Sequence, residues 1–153
     1  MELEQQLKLL ITDAASHGVP TVVMELAIAP VLQMLVTQLQ HDEYYILQNV
    51  ESDWVLTTIS NSKLKQQKKV IYAFITVRDA MTFQGKSDPN LIAAPISVTQ
   101  LLFRLFSLHQ VDSIIFMNNS SDLNNGIEVR RDRFLDLVQQ QLENFKQTPP
   151  YIA

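Results

Sequence analysis

Between Pro95 and Asn118 the chain reads PISVTQLLFRLFSLHQVDSIIFMN, and no other stretch narrows the possible folds as much. Ser97 stands where an N-cap accepts a backbone N–H, and Gln100 three residues on can reach back, as in a capping box. Ile96 and Leu101 are spaced as a hydrophobic staple. At ~100° per residue, Val98, Leu101, Leu102, Leu105, Phe106 and Leu108 fill an arc of roughly 160°. Gln100, Arg104 and Ser107 lie opposite. Phe103 falls outside the arc and is expected at the surface. Ile114 to Met117 then runs apolar without alternation, as a strand covered on both faces does.

The rest of the chain supplies the cover. Leu3, Leu7, Leu10, Ile11 and Ala14 give Glu2–Ser16 one apolar helical face, and Gly18 ends it. Thr21–Gln40 is apolar nearly all round, from Val22 through Val36, so it is buried on several sides, within one subunit or between two. Pro30 predicts a kink or break near Ala29, with two short helices as the alternative. Tyr44–Asn49 and Trp54–Ser60 read as an antiparallel hairpin, and Val70–Ile75 as a central strand. Thr76 is placed to cap a short helix through Phe83, Gln84–Pro95 reads as a loop, and Asp132–Lys146 as a closing amphipathic helix.

The two buried strands, separated by helical segments, suit a parallel crossover. The fold class expected is therefore α/β (α+β): a mixed sheet of about five strands with helices packed on it and an N-terminal helical pair added. Residues 1–153 are read as one domain, with 1–43 a helical extension and 44–146 the core.

Composition then removes chemistries. A chain 46% hydrophobic and 18% charged is that of an ordinary globular protein. Without cysteine there is no disulfide, thiolate or cysteine-ligated metal site. A net charge of −4 disfavours a nucleic-acid partner. The N-terminus lacks a signal-peptide layout, and the longest apolar stretch, Val22–Val36, is shorter than the ~20 residues of a membrane span and contains Glu25 and Gln33. A cytoplasmic protein without membrane contact is the expectation.

Gly18, Gly85 and Gly126 lie too far apart for a phosphate-cradling loop or a dinucleotide fingerprint. His17, His41 and His109 each fall at an expected helix C-terminus, where a side-chain donor meets free carbonyls. His41-Asp42-Glu43 is the one cluster of metal-ligand types, but adjacent ligands splay apart. Glu25, inside the apolar helix, would be a candidate acid if buried. Lys63, Lys65, Lys68 and Lys69, and Arg130, Arg131 and Arg133, form two basic groups without interleaved stacking aromatics.

From about Tyr44 to Leu142 the chain resembles the N-terminal domain of the SseB family, the enhanced serine sensitivity proteins of bacteria. IYAFITVRDAMTF, the leucine-rich helix, VDSIIFMN and GIEVRRDRFLDLV carry the resemblance. It implies a small mixed α/β domain and supplies no catalytic residue.

The function expected is non-catalytic: a regulatory or protein-interaction domain that self-associates or meets another protein, with no cofactor and no metal. Met24, Met34, Phe103 and Phe106 are the candidate interface residues, as surplus apolar surface marks contact sites. The alternative is a hydrolase or lyase using Glu25 or the His41–Glu43 group.

Overall fold

The computed structural model describes residues 2–61, 63, 65–84, 88–118 and 125–147. Its strands are β1 (Glu43–Gln48), β2 (Thr57–Asn61), β3 (Gln66–Ala73), β4 (Ile92–Ser97), β5 (Ser113–Met117) and β6 (Gly126–Arg130). The helices are α1 (Leu3–Thr12), α2 (Thr21–Val23), α3 (Ala29–Val36), α4 (Val77–Gln84), α5 (Val98–Arg104) and α6 (Arg131–Gln147). The expected mixed α/β fold is the one observed.

Four strands run in the order β2-β3-β5-β6, antiparallel except for the parallel β3–β5 pair, in which Val70 faces Ser113 and Ala73 faces Phe116. One face of this sheet carries Ile71, Ala73, Ile114, Phe116 and Val129 into the main core with the helices. The other face carries Phe74 and Met117 into a smaller core with Leu47 and Ala80. There the Phe83 ring lies 4.9 Å from Tyr72 and 5.2 Å from Phe74. Cover on both faces explains why β3 and β5 lack polar alternation.

The hairpin is cut short. Asn49 Oδ1 accepts from the N–H groups of Glu51 and Asp53, and Ser52 takes a left-handed φ of 67°. After the bridge between Gln48 and Trp54 the strands part, and β1 pairs along its length with β4 instead. β4 lies where a loop was expected. It contains Pro95, which has no N–H to give, and a strand at the sheet edge tolerates that. Tyr45 and Phe74 exchange backbone hydrogen bonds at 2.7 and 2.9 Å and join the β1–β4 pair to the end of β3.

Residues 21–36 stay helical through Pro30. Met24–Ile28 form a π turn between α2 and α3, in which the Ala29 N–H donates to Met24 O. Proline removes one N–H and crowds the carbonyl four residues back. Here the wider turn sits just before it, so no break appears at Ala29, whose φ of −58° and ψ of −43° are helical. The Leu26 carbonyl, deprived of its usual partner, has Gln141 Nε2 of α6 at 3.5 Å.

Most of this segment is buried in its own chain, among α1, α5 and α6. Met24 is fully buried, which removes it from the expected contact residues: the π turn sets Met24, Ala27 and Ile28 inward. Its outward face keeps Val22, Leu26 and Met34, which are 57%, 39% and 44% exposed.

At the turn into β6, a Cβ on Gly126 would stand 2.9 Å from Ile115 Cγ2 and 3.1 Å from the Phe116 carbonyl. Backbone cannot swing aside as a side-chain tip can. Gly126→Ala should therefore cost about 1–3 kcal/mol in urea unfolding, and an unchanged midpoint would show that β6 can shift outward freely.

Candidate functional site

A half-open groove of about 950 Å³ lies between α1, the turn after it, α5 and α6. It exists because α5 is short and held at both ends by distant residues. Ser97 occupies the N-cap position of α5 with extended backbone, as expected, but its side chain makes no cap. Gln6 of α1 does so instead. Its Oε1 accepts from Thr99 N–H at 3.1 Å and from Thr99 Oγ1 at 2.8 Å, and its Nε2 donates to Asp42 O at 3.0 Å.

At the other end, the last turn tightens into i→i−3 bonds through Ser107. Arg131 then lays its guanidinium over the free carbonyls, Nε donating to Leu105 O at 2.8 Å and Nη2 to Phe106 O at 2.9 Å. Val98, Leu101, Leu102 and Leu105 are fully buried beneath, as the helical arc requires.

The groove wall is aromatic. Phe134, fully buried, lies 4.6 Å from Phe106; Phe106 lies 5.8 Å from Phe103; and Phe103 meets the His17 ring edge-on at 5.2 Å. Phe103 is thus half-buried rather than outside the fold. Leu10, Ile28 and Val138 line the interior, and Leu9, 48% exposed, stands at the rim.

Of the residues singled out for chemistry, His17 and Glu43 line the groove, together with Asp13 and Arg104. Glu25 is exposed on the π turn and does not line it, which corrects the idea of a buried acid in this helix. His41 packs edge-on against Tyr44 at 5.6 Å, beyond the end of α3 rather than on its last turn. Asp42 contributes its carbonyl to Gln6 and to Val98 N–H, and Glu43 has entered β1. Among the described residues no group of three or more histidine or acidic side chains could hold a metal ion.

Part of each basic group is drawn into structure. Lys68 pairs with Glu128, whose Oε2 also accepts from the buried Ser113 hydroxyl at 2.6 Å. Arg130 pairs with Asp132 at 2.6 Å, and Arg131 also reaches His109 Nδ1 at 3.1 Å, a contact that makes this nitrogen the acceptor. Burial pushes the Tyr44 phenol up, against the opposing pull of the His41 and Gln40 backbone, and likewise raises Tyr72. Neither tyrosine lines the groove.

The sequence carries little sign of the Gln6 bridge or the Arg131 cap. Gln6 carries a faint signal, a polar residue beside the apolar face of α1, whereas Arg131 looks like one of three surface arginines. Among the described residues no helix is long and apolar enough to cross a membrane. Comparison of the chain with protein-family models, with curated proteins and with solved structures finds no match.

Proposed function

We propose that this chain is a non-catalytic protein-interaction domain that works through the helical side of its fold, with self-association among its contacts. The observation that carries the reading is the apolar groove, together with an exposed stripe of Val22, Leu26 and Met34 on the helical segment that lends Val23 and Ile28 to its lining. Apolar surface left uncovered in this way marks contact sites. Phe103 and Phe106 belong to the groove wall and Met34 to the stripe, so these three stand as the contact residues. The hydrolase or lyase alternative keeps less support, because Glu25 is exposed, His41 and Asp42 serve packing and backbone pairing, and Glu43 alone of its candidates lines the groove.

The SseB resemblance belongs to the same proposal. Its segments fold as β3 into α4, then α5, β5, and β6 into α6. That order is compatible with the small mixed α/β domain the resemblance implies.

Sedimentation at micromolar concentration tests self-association. The expected result is a mass above that of one chain, returned to one chain by Met34→Glu without change in helical circular dichroism. A single-chain mass for the unaltered protein across the concentration range would remove self-association from the reading.

A further inference from the structure

We infer that the groove between α1, α5 and α6 receives a basic amphipathic helix of a partner protein, its apolar side on the groove floor and its lysines or arginines beside Asp13 and Glu43. The inference rests on the protein-interaction reading and names the chemistry of the partner.

The occupant's shape follows from the walls. The groove is framed mainly by helices, whose backbone groups are already paired along their axes, and the two strand residues that line it, Glu43 of β1 and Ser97 of β4, are paired with each other. An extended peptide laid there would leave its own N–H and C=O groups unpaired against apolar side chains. A helix satisfies its backbone internally and presents side chains at i, i+3 and i+4 to such a surface. It would complete the helical layer as one more packed member.

The occupant's charge follows from the rim. Up to Glu43 the chain carries Glu2, Glu4, Asp13, Glu25, Asp42 and Glu43 against the single Lys8, a formal charge of −5, where the remainder is +1. Asp13 and Glu43 line the groove, and neither has an ion-pair partner among the described residues. The basic side chains that line the groove have contacts of their own: the Arg104 guanidinium lies 4.9 Å over the Trp54 ring, and the His17 ring packs on Phe103. Unpaired carboxylates around an apolar floor favour a partner of opposite sign, through on-rate and register.

Two synthetic amphipathic helices sharing one leucine face, one flanked by lysines and one by glutamates, test this by fluorescence anisotropy on the full chain. The lysine peptide should bind and weaken as salt rises. The glutamate peptide should bind at least about tenfold more weakly, roughly the effect of exchanging two exposed attractions for two repulsions. Asp13→Lys combined with Glu43→Lys should invert that preference. Leu9→Lys, at an exposed rim position that leaves the core intact, should abolish binding of both peptides.

Equal affinity for the two peptides, or binding that survives Leu9→Lys, overturns the inference. If Leu9→Lys instead converts a self-associated chain to single chains, the groove holds a second copy: the inference falls and the interaction reading stands. A single-chain protein that binds neither peptide overturns both.

Discussion

Phe134→Ala should cost the fold about 3–5 kcal/mol, the range for removing a phenyl ring from a packed core. The ring is fully buried on the inner face of α6 and is the anchor of a relay that runs through Phe106 and Phe103 to His17. Its loss opens a cavity under Phe106, and the cost rises if the surrounding helices cannot collapse into it. Phe103→Ala removes the same number of atoms from a half-buried position, so the area newly exposed is smaller and the expected cost is roughly 1–2 kcal/mol. Urea unfolding with an unchanged m-value reads both. A Phe103→Ala penalty equal to that of Phe134→Ala would place Phe103 in the core and take away one wall of the groove.

The position of Phe103 also shows what periodicity can and cannot tell. The wheel for α5 places Val98, Leu101, Leu102 and Leu105 inward, and all four are fully buried. It treats the helix as having one partner, the sheet. Phe103 has a second, the turn after α1 with His17, and a single-helix wheel holds no information on a second neighbour. The same limit hides β4. Its residues Ile92–Ser97 are short and contain Pro95, which reads as a breaker, and only the pairing with β1 fifty residues earlier makes a strand of them.

Pro30 is legible in part: the disturbance expected near Ala29 is present as the π turn over Met24–Ile28, without a break in the helix. A proline in an apolar run predicts a break, because propensity counts only the lost N–H and the clash. The π turn sits just before it, Gln141 Nε2 approaches the Leu26 carbonyl that lacks the proline N–H, and burial of Val31, Leu32, Leu35 and Val36 holds the helix together past it. Strands β3 and β5, by contrast, are legible because β-branched and aromatic residues without alternation admit few other placements. The groove itself is barely legible. It is created by the separation of α1, α5 and α6, and the residues that set that separation, Gln6 and Arg131, are polar residues whose partners lie far off in sequence.

Gln6→Ala should destabilise the protein by about 2–4 kcal/mol, more than its small volume suggests. Gln6 is 3% exposed and Thr99 1% exposed, so water cannot replace the bonds between them. Alanine would leave the Thr99 N–H and hydroxyl without an acceptor, and Asp42 O would keep only the Val98 N–H, at 2.9 Å. Each buried donor so orphaned costs about 1–3 kcal/mol.

A double-mutant cycle separates the parts. Thr99→Val removes one donor while Gln6 Oε1 keeps the other, and should cost about 1 kcal/mol. Gln6→Leu orphans both. Adding Thr99→Val to Gln6→Leu removes the stranded hydroxyl and should recover about 0.5–1.5 kcal/mol as coupling energy, while the penalty for the bare Thr99 N–H persists. Because the bridge joins α1 to the start of α5, the single variant should also lose amide protection in α1 before the sheet opens. A Gln6→Ala effect within ~0.5 kcal/mol, the range of ordinary surface substitutions, would mean that α1 is held by its leucines alone. The groove wall it forms would then owe nothing to this hydrogen bond.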